Sequence, residues 1–156
     1  MAEPSARDKL MAILSAPENL PAATRHLGYE LIDLDPETGR SECGFAARAE
    51  FRNPNGSVQG GIVSAFLDEA MSLSLFVATH LKSAVPTLEM KTSFLRPLMT
   101  DSCRCVAEVV RLGRTVGFTR GELFDAEGRL CATATATAAI RPFEENQAPP
   151  GGGDAG

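Results

Sequence analysis

Asn53-Pro54-Asn55-Gly56-Ser57-Val58-Gln59-Gly60-Gly61 opens directly onto an apolar run from Ile62 to Leu81. A polar, glycine-rich loop followed by about 20 apolar residues reads as a loop feeding one long helix. Asp68 and Glu69 are the only acids in that run, and Lys82 is the next charged residue. Burying a carboxylate is costly and shifts its pKa, so an acid here needs a partner or a task. Glycines let backbone N–H groups approach a bound group, and a helix start adds the positive end of its dipole. Donors at a helix start with an acid two turns on suit acyl chemistry.

The rest of the chain bounds that reading. At 156 residues it fits one domain with a real core. A formal net charge of -5, no Trp and a single Tyr argue against nucleic-acid partners and anionic membranes. The run from Ile62 to Leu81 is long enough for a membrane span, but Asp68 and Glu69 in its middle would be costly there. It is expected as a helix of a soluble core. Met1 to Ala16 lacks the uninterrupted apolar core of a signal peptide. Cys43, Cys103, Cys105 and Cys131 form no CxxC pair, and His26 and His80 are isolated. Cys103 and Cys105, on one face of a strand, read as small core residues, and a reduced, cytoplasmic protein without a metal site or disulfide framework is expected.

Before the loop, Leu10, Met11 and Leu14 have helical spacing and stop at Pro17. A short helical turn is expected after Ala22, then a strand from Gly28 to Leu34. A turn at Pro36–Arg40 leads to a return strand over Ser41–Phe51. After Pro86 the period becomes two, which predicts strands at Thr87–Phe94, Asp101–Leu112, Thr115–Phe124 and Arg129–Arg141. Gly113-Arg114 and Asp125–Gly128 are hairpin chemistry. The four late strands are expected in meander order. Segment boundaries follow: an N-terminal helical segment over 1–20, one α+β domain over 21–143, and a disordered Pro- and Gly-rich tail over 144–156.

The spacing of Asn53, Gly56, Gln59, Gly60, Gly61 and Asp68, with Thr87 opening the next strand, resembles the hotdog-fold acyl-CoA thioesterases. The match is to their phenylacetate-pathway branch, and it covers about residues 20–142, including the Gly113-Arg114-Thr115 turn. The resemblance implies an antiparallel sheet wrapped around one central helix and hydrolysis of an acyl- or aryl-CoA. Coenzyme A is then part of the substrate, and no separate cofactor is needed. It also implies roles. The Gly60 amide polarises the thioester carbonyl, and Asp68 is nucleophile or general base. Asn53 and Gln59 orient water or thioester, and Thr87 holds the carboxylate or that water. Gln59 stands where many members have His; it hydrogen-bonds but takes no proton, so the acid–base work falls to Asp68. Gly61, Arg96, Arg114 and Thr115 are candidates for binding the substrate, with Arg111 and Arg120 as further cations for its phosphates.

Helix geometry adds one expectation. Gly60 and Asp68 are eight residues apart, about 12 Å along a helix axis. A carbonyl held at Gly60 is therefore out of reach of Asp68 in the same chain. Two such helices packed antiparallel across a two-fold would bring Asp68 of one subunit to Gly60 of the other. The expected assembly is a homodimer with shared sites, with a tetramer as the larger option. Simpler readings stand beside these roles. The glycines ease entry into a crowded helix, Asp68 pairs at a packing contact, Asn53 is a turn residue, and Thr87 merely opens a strand. A non-catalytic acyl-CoA binder of the same fold is the alternative function.

Overall fold

The computed structural model describes residues 3–144. Six antiparallel strands wrap one long helix, the α+β hotdog arrangement. Helix α1 (Ala6–Ser15) starts with a capping box in which the Ser5 hydroxyl and the Asp8 carboxylate satisfy each other's backbone N–H groups. A short helix α2 (Ala22–His26) leads into β1 (Glu30–Asp35) and β2 (Arg40–Ala46). The central helix α3 (Gly60–Ala78) is followed by β3 (Ser83–Ala84), β4 (Thr87–Phe94), β5 (Ser102–Leu112), β6 (Val116–Asp125), β7 (Leu130–Ala139) and β8 (Arg141–Pro142).

Helix α3 sinks into the sheet because the sheet offers small residues beneath it. A Cβ at Gly117 of β6 would meet Leu75 at 2.5 Å, and one at Gly121 would meet Met71 at 3.1 Å. Ala132, Ala134, Ala136 and Ala138 of β7 turn inward while the threonines between them turn out. Phe66, Leu67, Met71 and Leu75 fill the resulting trough and are almost fully buried. Burying one such side chain contributes about 1.5–3 kcal/mol, so the helix is fixed by packing. Its charged residues lie on the sides that the trough leaves open.

Two expectations about the strands are corrected. β2 stops at Ala46 instead of running to Phe51. Its partner β5 ends there too, Ala47 N–H turns to the Asp101 carbonyl, and Ala49–Phe51 closes a 3₁₀ turn. That turn seats Phe51 edge-on against Phe66, a burial that a continuing strand would forgo. The late strands are not a simple meander. The sheet order is β1-β2-β5-β6-β7-β4, so β4 lies at the far edge beside the last long strand. Period two shows that a strand exists but not which neighbour it takes, and Glu89 and Lys91 suit an edge. β3 and β8, unforeseen as a pair, form a separate two-stranded ribbon. From residue 145 on, the expected disordered tail lies outside the described residues.

Candidate active site

The loop that feeds α3 is held in place by its own polar residues. Asn53 N–H donates to the Ser57 carbonyl, its side-chain amide donates to Ser57 Oγ at 2.9 Å, and its Oδ1 accepts from Asn55 N–H. Gly56 has φ 83°, a conformation open to glycine at little cost. Asn53 therefore acts here as the brace of a tight loop. Ser57 and Arg52 are part of that brace, although the sequence pattern did not single them out. Arg52 donates to the carbonyls of Gly56 (2.8 Å), Met99 (3.0 Å) and Thr100 (3.2 Å) and pairs with Asp101. A lone basic residue abutting a polar loop was the available signal. Arg52→Met should cost about 2–4 kcal/mol of stability, because several carbonyls lose a charged donor together. Denaturant unfolding of the variant measures this; a loss under about 0.5 kcal/mol would mean the clamp is idle.

Gln59 is the N-cap of α3, and its side chain caps no backbone N–H. Its carbonyl accepts from Ile62 and Val63 N–H, so the N–H groups of Gly60 and Gly61 head the helix without an intrahelical acceptor. Gly61 is exposed, and a Cβ there would meet nothing within 4 Å. Gly60 faces a cavity of about 350 Å³ that Asn53, Ser57, Phe94 and Arg96 also line. The Phe94 ring lies so close that a Cβ on Gly60 would meet it at 3.3 Å. Arg96 is exposed and donates to the Leu130 carbonyl at 3.1 Å.

Asp68 sits elsewhere. It is half-buried on α3, and Thr87 Oγ1 donates to its Oδ1 at 2.7 Å. One turn back on the same side, Ser64 Oγ donates to Thr92 Oγ1 at 3.2 Å. The helix thus runs along β4 with Gly60 at the Phe94 end and Asp68 at the Thr87 end. Seven residues of strand separate those ends, about 23 Å. The residues that sequence grouped into one site fall into two sets, with Asn53 and Gly60 in one and Asp68 and Thr87 in the other. Arg114 and Thr115 are exposed in the β5–β6 turn. Through β7 they share the sheet end of Thr87, since Val116 pairs with Ala139 and Thr87 with Ala138. Arg120 is engaged by Glu108 on the outer face.

Glu69 points away from Asp68, and Thr24 Oγ1 donates to its Oε1 at 2.9 Å. Burial, and to a lesser degree the neighbouring Asp68 charge, raises its pKa above the ordinary carboxyl range despite that bond. The cysteines are buried thiols. Burial pushes Cys103 up to about 12 and raises Cys43 and Cys105 as well, which leaves them poor nucleophiles at neutral pH. Asp68 is thus a half-buried helix acid held by one hydroxyl, while the Gly60 and Gly61 N–H groups head the same helix without an intrahelical acceptor.

Known proteins share this fold. A Ralstonia eutropha structure described as a thioesterase related to phenylacetic acid degradation is 37% identical, covering 80% of this chain and 92% of that one, with a TM-score of 0.75. A thioesterase family protein from Silicibacter pomeroyi is 29% identical over 79% of this chain and 91% of its own, with a TM-score of 0.73. The Escherichia coli protein of the phenylacetic acid degradation operon, at 19% identity over 90% of this chain and 97% of its own, shares the fold with a TM-score of 0.75. A Saccharolobus solfataricus protein named as an esterase is 30% identical over 110 residues, 70% of this chain and 76% of its own. Residues 55–132, from the glycine loop into β7, match the family described as the thioesterase superfamily. This chain belongs to the thioesterase superfamily.

Proposed function

We propose that the chain hydrolyses an acyl- or aryl-CoA thioester in a site shared by two subunits. The observation that carries this is the separation of Gly60 and Asp68 to opposite ends of the edge strand β4. β4 presents a free edge, with Leu88 60% and Leu95 59% exposed. Antiparallel pairing of β4 with its own copy lays the Thr87 end of one strand beside the Phe94 end of the other. Asp68 of the partner subunit then faces the Gly60 amide across one two-fold, and each dimer holds two sites.

In such a site the Gly60 N–H donates to the thioester oxygen and stabilises the oxyanion as the carbonyl carbon becomes tetrahedral. Asp68 either takes a proton from the attacking water or attacks the carbon itself, forming an anhydride that water then cleaves. The C–S bond breaks and the CoA thiolate takes up a proton, leaving the free acid. Thr87 donates to one Asp68 oxygen and turns the other toward the reaction. Arg96, Arg114, Thr115 and Gly61 are the groups proposed to meet the CoA moiety, by charge or by open backbone.

A thiol-release assay over acyl-CoAs from acetyl to palmitoyl, with aromatic thioesters added, tests the activity. Release from at least one member is expected; tight CoA-thioester binding with no release would favour a non-catalytic binder, the reading left by Gln59 in place of histidine. Within an active enzyme, Gln59→Ala should cost about 1–3 kcal/mol of transition-state stabilisation in kcat/KM. Gln59→His should be tolerated. A Gln59→His enzyme as inactive as one lacking Asp68 would show that this side chain has a different role.

A further inference from the structure

Beside Asp68, on the next face of α3, lies a second cavity of about 390 Å³. It is at the small end of the roughly 300–1,000 Å³ typical of small-molecule pockets. Leu14, Leu20, Tyr29, Leu73, Phe76 and Val85 supply apolar walls from the N-terminal segment, the central helix and the β3 ribbon. Its approach adjoins the catalytic acid twice over. Ser72, on its rim, is one helical turn beyond Asp68, and Val85 is two residues before Thr87. Into this apolar space projects one carboxyl group, Glu69, with Thr24 as its hydroxyl partner.

The proposed mechanism leaves both features unused. α3 faces the sheet through Phe66, Leu67, Met71 and Leu75, so a glutamate at 69 is not required for packing. An alanine or leucine would close the wall without the cost of desolvating a carboxyl. The Thr24 bond engages Oε1, and among the described residues no hydrogen bond reaches Oε2. A carboxyl oriented by one hydroxyl, in an apolar cavity on the helix face next to Asp68, has the chemistry of a recognition element.

We propose that this cavity seats the acyl group of the thioester, and that Glu69, steered by Thr24, selects acyl groups bearing a neutral hydroxyl over those ending in a carboxylate. The proposal rests on the thioesterase reading of Asp68 and Gly60. A hydroxyl satisfies Glu69 in either protonation state, donating to the carboxylate or accepting from the neutral acid. A substrate carboxylate would instead share a low-dielectric space with a second carboxyl, which disfavours its charge. An unsubstituted alkyl chain fits but leaves the carboxyl without a ligand partner, so discrimination against it is milder.

The test compares kcat/KM for three six- or seven-carbon substrates: heptanoyl-CoA, 6-hydroxyhexanoyl-CoA and adipoyl-CoA. In Glu69→Leu the preference for 6-hydroxyhexanoyl over heptanoyl should fall about 10-fold relative to the natural enzyme. In Glu69→Gln, adipoyl should gain about 10-fold relative to heptanoyl, since the like charge is gone while a hydrogen-bonding group remains. Thr24→Val, which keeps the side-chain shape, should shift the hydroxyl preference in the same direction as Glu69→Leu by a few-fold. Ratios within about twofold of the natural enzyme in all three variants would overturn the acyl-cavity proposal while leaving the thioesterase reading intact. No thiol release from any CoA ester by the natural enzyme would instead overturn the thioesterase reading, and the cavity proposal with it.

Discussion

Asp68→Asn should lower turnover by about 100-fold or more. The asparagine keeps the shape and can still accept the Thr87 hydroxyl, so fold and dimer should be unaffected. What it lacks is a carboxylate able to take a proton from water or attack carbon. Because no other acid is placed along this side of α3, and Glu69 points to Thr24, no neighbour can substitute. Substrate binding should survive, since the Gly60 donors and the walls of the site are untouched. Single-turnover kinetics with a CoA ester would separate the two, showing bound substrate that is not cleaved. A folded Asp68→Asn enzyme with natural turnover would remove Asp68 from the chemistry. Thr87→Val should produce a smaller fall, because it removes one hydrogen bond at 2.7 Å and leaves the carboxylate in place.

Breaking the edge of β4 should be as damaging, although neither residue changed touches the acid. Leu88 and Leu95 are exposed apolar residues on and just beyond the edge strand. In the double variant Leu88→Asp/Leu95→Asp, strand pairing would bring like charges together across the two-fold and bury them. The expected result is a folded monomer by light scattering, with turnover lowered by about 100-fold, because each chain then holds only half a site. An active monomer would show that Gly60 and Asp68 cooperate within one chain.

Much of this architecture is legible before any coordinates. The long helix stands out because nearly every residue from Ile62 to Leu81 is apolar, and the two acids stand out because nothing else there is charged. Thr87–Phe94 and the later strands are visible through period two and turn chemistry. Strand order is not, because β4 alternates equally well beside β5 or beside β7. The choice depends on where the chain emerges after α3. That exit passes through His80 and Leu81 at φ 52° and 60°, a left-handed pair that the residue types do not announce. The loop motif identifies Asn53, Gly60 and Asp68, but not their separation to opposite ends of a strand. Helix rise alone fixes their distance at about 12 Å; the structure adds which end of β4 each one meets. For Arg52 the sequence offers only its place beside the polar loop, because its acceptors are carbonyls from Gly56 and from residues 99–100, which carry no side-chain signature. Glu69 read only as an acid facing elsewhere, since its partner Thr24 is 45 residues away in sequence.

The shared site is tested most directly by mixing two inactive proteins. One carries Asp68→Asn. The other carries Gly60→Pro, which removes the amide donor at the first helical position, a place where proline is well accommodated. Gln59 already has ψ 135°, which suits a residue preceding proline, and the nearby Phe94 ring is exposed and free to give. Each homodimer should be inactive. After unfolding and refolding an equal mixture, random assortment makes half the dimers mixed, and each mixed dimer holds one intact site. Activity should return to about a quarter of that of the natural enzyme at equal protein. A mixture shown by mass spectrometry to contain the mixed dimer, yet releasing no thiol, would contradict the shared site.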